Sequence, residues 1–187
     1  MTERSLASKI NFFDLRRNNR LIIRDARKEE LSFIREQRVK AYEDHTEKVP
    51  AEHWEALKKA ISSEADQQEG VDLIVAEING VILGSVALFP AKTDAYEGYV
   101  DEMDYPEIRV LAVGNESRGS GVASALIDEC ISRAKAKGFD AIGLHTGSFM
   151  NDAIGLYQGK YGFERMPEYD FVPADDGIVV KAFKKNI

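Results

Sequence analysis

The sequence of 187 residues has one cysteine, Cys130, and therefore no means of forming an internal disulfide. The three histidines, His45, His53 and His145, are scattered along the chain and show no zinc-binding spacing with that cysteine. We therefore expect neither a disulfide nor a bound metal.

Long apolar runs are also missing from the sequence. The longest, around residues 82–88, is far shorter than the roughly 18 to 20 residues that span a bilayer, so we expect no membrane partner. Residues 1–20 lack the continuous apolar core of a secretory signal, which predicts a cytoplasmic protein.

Positive charge is in the minority, with 25 Lys and Arg against 32 Asp and Glu and a net charge of −7. Proteins that follow a nucleic-acid backbone usually have the opposite balance, so nucleic acid is not an expected partner. The proportions of 44% hydrophobic and 30% charged residues are those of an ordinary globular protein.

The length fits one domain with a substantial core and is too short for two ordinary domains. Residues 1–20 are polar and show neither helical nor strand periodicity. We predict an N-terminal extension over residues 1–20 and a single domain over residues 21–187.

Hydrophobic periodicity predicts strands and helices in alternation along this domain. The predicted strands cover residues 21–23, 73–78, 81–88, 108–113, 141–145, 163–169 and 178–183, and the predicted helices lie near residues 31–41, 54–61, 122–134 and 151–161. Asn79-Gly80 favours a two-residue hairpin turn. Because hairpins are combined with a crossover connection, we predict an α/β fold with a mixed sheet. The acidic stretch 91–106 is predicted to be a loop or lid.

The most informative segment runs from Pro106 to Ala125, where a strand passes through a glycine-bearing turn into a helix. Amides in the first turn of a helix lack intrahelical partners and, with the helix dipole, attract anions. Gly119 and Gly121 allow close approach of a ligand to the backbone. The pattern predicts a site for a phosphate-bearing ligand.

Two common phosphate loops fit this segment poorly. A Walker loop requires lysine where Ser120 stands, although Gly114 and Gly119 have the correct spacing. A dinucleotide fingerprint requires a third glycine where Ser124 stands, although Asp140 lies near the place of the acidic ribose ligand.

The segment from Arg118 to Ala123, RGSGVA, fits the pattern Arg/Gln-x-x-Gly-x-Gly/Ala. It resembles the pyrophosphate loop of the GCN5-related N-acetyltransferases, the GNAT superfamily. The resemblance continues through residues 108–163, where strand, loop, long helix, strand and helix follow in the family's order. With the hairpin and two leading helices, it extends over nearly the whole chain from residue 21.

The resemblance implies a three-layer fold, in which a central, mostly antiparallel mixed sheet of about seven strands is flanked by helices. It also implies transfer of an acetyl group from acetyl-CoA to an amine. Because Cys130 lies on the apolar stripe of the long helix and is interpreted as a core residue, we expect direct attack in a ternary complex. The alternative from another class is a catalytically silent acyl-CoA-binding sensor or scaffold module. A second alternative keeps the enzyme but replaces acetyl-CoA with a longer acyl thioester.

The same resemblance implies which residues bind the coenzyme. They are Leu111, Val113, Arg118, Gly119, Ser120, Gly121, Val122, Ala123 and Asn151. In the family, the pantetheine arm pairs with the strand and the loop amides hold the diphosphate. One departure is that Met150 stands where many members have asparagine, while Asn151 comes one place late.

For catalysis, the resemblance implies that Tyr157 is the general acid for the departing thiolate, and that an amide near Leu111 stabilises the oxyanion. Tyrosine suits the acid role because its ordinary pKa of about 10 keeps it protonated at neutral pH. The alternative for Tyr157 is a purely structural aromatic residue.

Glu107 matches the glutamate that some members use as a general base. Arg109 lies two residues further along the same face of the strand, and an ion pair between them would weaken the base. A structural salt bridge is therefore the alternative for Glu107, and His145 or water are alternative proton relays.

The acceptor is less well specified and is either a small-molecule or a protein amine. Two acidic stretches, residues 43–52 and 94–104, favour a cationic amine, unless they are merely solvated surfaces. The oligomeric state is left open, with a homodimer as one alternative.

Overall fold

The computed structural model describes residues 20–94 and 98–187. The predicted N-terminal extension, apart from residue 20, lies outside the described residues, as does the centre of the acidic loop. Within the described part of the chain, no helix combines the length and hydrophobicity that crossing a bilayer demands.

The described residues form one sheet flanked by helices. Its strands are β1 (Ile22–Asp25), β2 (Asp72–Ile78), β3 (Val81–Phe89), β4 (Glu107–Val113), β5 (Ala141–Gly147), β6 (Glu164–Arg165) and β7 (Val180–Asn186). The α-helices are α1 (Leu31–Tyr42), α2 (Ala51–Ile61), α3 (Val122–Ala136) and α4 (Asn151–Gly155), which continues as a π-helical turn (Leu156–Lys160).

The strand order is β1-β2-β3-β4-β5-β7-β6. Every neighbouring pair is antiparallel except β4 and β5, which are parallel because α3 crosses over between them. This arrangement confirms the predicted mixed, mostly antiparallel sheet of seven strands. Buried side chains form one cluster around α3 and another around Ile34 of α1, which gives the predicted layered fold.

Helix α3 forms where the predicted apolar stripe lies. Val122, Leu126, Ile127, Cys130 and Ala134 are all buried against the sheet. Full burial of a large aliphatic side chain stabilises the fold by about 1.5 to 3 kcal/mol, so this stripe anchors the start of α3 against β4.

The hairpin between β2 and β3 turns at Asn79 and Gly80, whose φ angles are 52° and 78°. Positive φ at both positions is the requirement of a type I′ turn, as the sequence predicted.

Several predicted elements begin or end at other residues in the structure, such as the last strand, predicted over residues 178–183 and observed as Val180–Asn186, and two differ in kind over part of their length. The strand predicted over residues 163–169 extends over two residues only, and Pro167–Tyr169 forms a 3₁₀ turn instead. Pro167 lacks an amide hydrogen and fixes its own φ, so it ends the ladder. The helix predicted over residues 151–161 is α-helical only to Gly155, after which it widens into the π-helical turn.

Candidate active site

The sheet opens between β4 and β5. Their pairing has only two registered positions, Glu107 with Gly143 and Ile108 with Leu144, although β4 continues to Val113. The second half of β4 therefore presents backbone groups to the gap, where an extended ligand can pair as an added strand. Leu111 and Val113, predicted to bind the coenzyme, are half-buried at this gap.

A β-bulge redirects β4 at the same place. Ser85 pairs with Ala112 and Ala87 with Arg109, so two residues of β4 face a single residue of β3 between them. Val110, within the bulge, has a φ of 49°, which is a strained conformation for a β-branched residue. Bulges reorient backbone groups, and this one includes Leu111, near which the oxyanion donor was predicted.

The predicted pyrophosphate loop lies at the start of α3. Gly119 and Gly121 have φ angles of 70° and 88°, and a Cβ on either would meet no atom within 4 Å. The first helical hydrogen bond runs from the Ala125 amide to the Gly121 carbonyl at 3.0 Å. The preceding amides, including those of Val122 and Ala123, therefore have no acceptor within the helix.

Two polar side chains shape this loop. The Ser120 hydroxyl donates to the Ser117 carbonyl and so closes the turn. Arg118 forms an ion pair with Asp44 and donates to the Ala41 carbonyl at 2.7 Å. The loop is thus joined to the end of α1 and the turn that follows it.

Tyr157 lies in the π-helical turn, where the Tyr161 amide donates to the Leu156 carbonyl five residues earlier at 3.2 Å. Its side chain is buried, and its ring packs edge-to-face with that of Phe163 at 5.9 Å between centroids. Burial raises the pKa of the Tyr157 hydroxyl above its ordinary value, so it keeps its proton at neutral pH.

Glu107, the candidate base, is bound to His145. The Glu107 Oε1 atom lies 2.9 Å from His145 Nδ1, and His145 Nε2 lies 3.2 Å from the Tyr169 carbonyl oxygen. The guanidinium of Arg109 lies over the ring of Phe89, 4.5 Å from its centroid. The ion pair considered for Glu107 was with Arg109, whereas the contact in the structure is with His145.

The candidate acid and base lie on opposite faces of the sheet. Ile108 and Leu144 pack in the same buried cluster as Tyr157. Side chains alternate along a strand, so the neighbouring Glu107 and His145 point to the other face. Tyr157 and the Glu107–His145 pair therefore lie on opposite faces of the sheet, where the gap between β4 and β5 begins.

Residues 42–53 form a strap across this gap. The Tyr42 hydroxyl donates to the Leu111 carbonyl at 3.3 Å on the β4 side. On the β5 side, the Phe149 ring contacts His45 and His53 at centroid distances of 5.4 and 6.0 Å. The strap therefore covers the gap from one strand to the other.

A buried His–carboxylate pair fastens the strap to the β6–β7 connection. His53 Nδ1 lies 2.6 Å from Asp176 Oδ2. The hydrogen bond from the Ile178 amide and, to a smaller extent, the one from His53 hold the pKa of the Asp176 carboxyl below its usual value. This contact links the strap to a segment more than 120 residues further along the chain.

Sequence reasoning missed Tyr42 and Phe149, because single aromatic residues at a helix end or in a loop carry no local signal. Asn151, the remaining predicted coenzyme residue, is the exposed first residue of α4. Among residues 20–94 and 98–187, no three His, Cys, Asp or Glu side chains are grouped closely enough to hold a metal ion.

Comparison with known proteins gives similar sequences over half of the chain. The chain is 33% identical over 95 residues to N-acetyltransferase family 8 member 2 of Rattus norvegicus, a match covering 51% of this chain and 39% of that protein. Human N-acetyltransferase 8B is 33% identical over 95 residues, covering 49% of this chain and 37% of that protein. The matched part thus spans less than half of the length of these relatives.

Solved structures show the same fold over most of both chains. An acetyltransferase of the GNAT family from Staphylococcus aureus Mu50 has a TM-score of 0.64 at 15% identity and covers 89% of this chain and 99% of its own. The Salmonella typhimurium protein yncA, solved with its cofactor acetyl-CoA, has a TM-score of 0.59 at 21% identity, with coverage of 89% and 93%.

The model of the acetyltransferase (GNAT) family matches residues 31–163, which include the loop, the open strand pair and Tyr157. The chain belongs to the acetyltransferase (GNAT) family.

Proposed function

We propose that residues 21–187 form one catalytic domain, which transfers an acetyl group from acetyl-CoA to an amine by direct attack in a ternary complex. The observation that carries the proposal is the position of three parts around one gap in the sheet. The glycine loop begins α3 at one end of the gap, while Tyr157 and Glu107 lie on its two faces.

The loop suits the diphosphate of coenzyme A. The open space beside Gly119 and Gly121 lets phosphate oxygens reach the backbone, and the amides at the start of α3 donate to them. Ser120, Val122 and Ala123 contribute amides in the same turn, and Arg118 adds a charge-assisted hydrogen bond once it turns from Asp44.

The exposed edge of β4 suits the pantetheine arm. Backbone groups of Leu111 and Val113 pair with the arm, as an added strand would, and Asn151 at the start of α4 contacts the coenzyme from the far side of the gap. Bound in this way, acetyl-CoA supplies the activated acetyl group.

The protein residues then divide the proton work. Glu107 removes a proton from the amine, and an amide of the bulge near Leu111 donates to the oxyanion, an interaction worth about 3 to 4 kcal/mol in comparable sites. Tyr157, which burial keeps protonated at neutral pH, donates its proton to the departing sulfur.

A thiol-release assay tests this proposal, with acetyl-CoA as donor and a panel of small amines and peptides as acceptors. We expect amine-dependent release of coenzyme A, with higher rates for cationic acceptors if the acidic stretches attract them. Binding of acetyl-CoA without turnover on any amine would instead support the silent acyl-CoA-binding module, and the absence of binding would contradict both.

A further inference from the structure

Glu107 and His145 form the most buried polar pair at the gap. Their side chains are 8% and 1% exposed, respectively, and are joined by the 2.9 Å contact between Oε1 and Nδ1. The two residues come from neighbouring parallel strands, one residue before and one residue after the last registered pair. Their positions are therefore fixed by the sheet itself.

The two contacts of the His145 ring determine where its protons lie. The Tyr169 carbonyl can only accept, so Nε2 must donate and carries a hydrogen. A hydrogen bond between Nδ1 and Glu107 then requires one further proton between the two atoms, either on the ring or on the carboxyl. When that proton is absent, a ring lone pair and a carboxylate oxygen face each other with no hydrogen between them.

From this geometry we propose that Glu107 and His145 accept the acceptor's proton as one unit. Glu107 is the base that contacts the amine, and His145 is the positioning residue that holds the proton on the far side of the carboxylate. This inference rests on the acetyl-transfer function proposed above.

The proton balance is complete within these residues. An ammonium acceptor loses two protons on becoming an amide. Glu107 takes the first, and the freed nitrogen lone pair forms the C–N bond as the C=O π electrons move to the oxygen. Collapse of the resulting oxyanion then breaks the C–S bond. Tyr157 gives its proton to the sulfur and regains one from the new amide nitrogen, while the Glu107–His145 pair returns its proton to water.

The surroundings shield the pair and place Glu107 beside a small cavity. Phe171 covers the His145 ring at 5.9 Å, and Tyr99 stacks on Phe171 at 5.4 Å between centroids. On another side, Glu107 lines a cavity of about 10 Å³, on the scale of one water molecule, together with Tyr105 of the loop before β4.

Other charged or titratable groups lie around the pair, on the loop before β4, on β4, on β6, on the turn at residues 167–169 and the residue after it, and on β7. They are Tyr105, Arg109, Arg165, Glu168, Tyr169, Asp170 and Lys184. Burial raises the pKa of Tyr105 to about 12. Burial alone would raise the pKa of the Asp170 carboxyl, but the hydrogen bonds from Arg165 hold that pKa below its usual value. Neither group therefore changes charge near neutral pH.

The kinetic test uses His145→Asn, because the amide of asparagine donates from near the position of Nδ1 but cannot hold a transferred proton. We expect kcat to fall by at least about tenfold with unchanged acetyl-CoA affinity, and the acidic limb of the pH–rate profile to move to lower pH. Glu107→Gln combined with His145→Asn should be within about threefold of Glu107→Gln alone, since the residues act as a unit. Additive losses, or an unmoved acidic limb, would overturn the proposal.

The matched control is His53→Asn, which also removes a buried histidine bound through Nδ1 to a carboxylate. It should lower thermal stability as His145→Asn does, but leave the acidic limb in place. If both variants moved the limb equally, the effect would be structural and the proposal would fail.

A second measurement does not depend on acetyl transfer. In ¹⁵N and ¹³C NMR spectra of the full chain, the Nδ1 signal of His145 and the carboxyl signal of Glu107 should titrate with one common midpoint. Each signal should lose that midpoint when the other residue is replaced. If the protein showed a common midpoint but released no thiol, the shared proton would be supported and the proposed acetyl-transfer function contradicted. Separate midpoints would contradict the shared proton itself.

Discussion

Arg118 of the pyrophosphate loop is bound to Asp44, which follows α1 74 residues earlier in the chain. The Asp44 carboxylate thus pairs with the Arg118 guanidinium, which the family resemblance assigns to binding the diphosphate. Both side chains are nearly half-exposed, so water and salt screen the pair and it can exchange for a stronger anionic partner. Coenzyme binding is expected to compete with this contact.

Replacing Asp44 with Asn should therefore strengthen acetyl-CoA binding by about twofold to fivefold at low ionic strength, because Arg118 is released and one negative charge is removed. Titration calorimetry at low and high salt measures the effect, which should shrink as salt increases. Glu47→Gln is the matched charge control and should change affinity less. Weaker binding by Asp44→Asn would show that the ion pair supports the loop instead.

Gly121 and Gly138 provide a matched test of the loop. Both have a φ of 88°, both lie at an end of α3, and a Cβ on either would meet no atom within 4 Å. Valine at either position should cost about 1 to 3 kcal/mol of stability through backbone strain. Only Gly121→Val should also weaken acetyl-CoA binding, by at least about tenfold, because its side chain enters the phosphate space. Equal effects on affinity would reject this loop as the diphosphate site.

Tyr157→Phe should lower kcat by at least about tenfold without changing acetyl-CoA affinity, because it removes only the proton donor. Tyr161→Phe is the control in the same turn, and its hydroxyl lies 2.9 Å from both the Ser124 carbonyl and Asp128 Oδ1. That control should cost about 1 to 2 kcal/mol of stability and keep kcat. Single-turnover kinetics must establish that chemistry limits the rate, and an unchanged Tyr157→Phe rate would then exclude the acid role.

The protonation state of Tyr157 also predicts how kcat changes at alkaline pH. Burial raises the pKa of Tyr157, so its acidic form persists to higher pH than that of an exposed tyrosine. We expect no loss of kcat through this residue up to at least about pH 10, the ordinary tyrosine value. A decrease near pH 8 that disappears in Tyr157→Phe would contradict this expectation.

Replacing Cys130 distinguishes direct acetyl transfer from a mechanism that passes through an acetylated cysteine. It is fully buried on α3, and burial raises the pKa of its thiol to about 12, so it is a poor nucleophile at neutral pH. Cys130→Ala should lower stability by about 1 to 2 kcal/mol and leave kcat within about twofold. Loss of turnover in a folded variant, with acetyl label on wild-type Cys130, would favour a ping-pong mechanism.

Much of the fold could be predicted because local patterns and tertiary packing agree. The apolar stripe of α3 and the turn at Asn79 and Gly80 each have a strong short-range signal, and both occur as predicted. The strand after Phe163 was predicted too long because its apolar residues suggested a ladder that Pro167 ends.

The site was less predictable because its decisive contacts join distant parts of the chain. The sequence indicates Tyr157, Glu107 and the glycine loop, yet it gives no sign that Glu107 would pair with His145, 38 residues later. The positive φ of Val110 depends on strand register, to which a valine contributes no local signal.

A crystal structure of the protein with acetyl-CoA tests the central proposal most directly. It should show the diphosphate within hydrogen-bonding distance of the amides between Gly119 and Ala123, and the thioester in the gap between β4 and β5, beside Tyr157. Phosphates bound anywhere else, or a thioester outside that gap, would contradict the account.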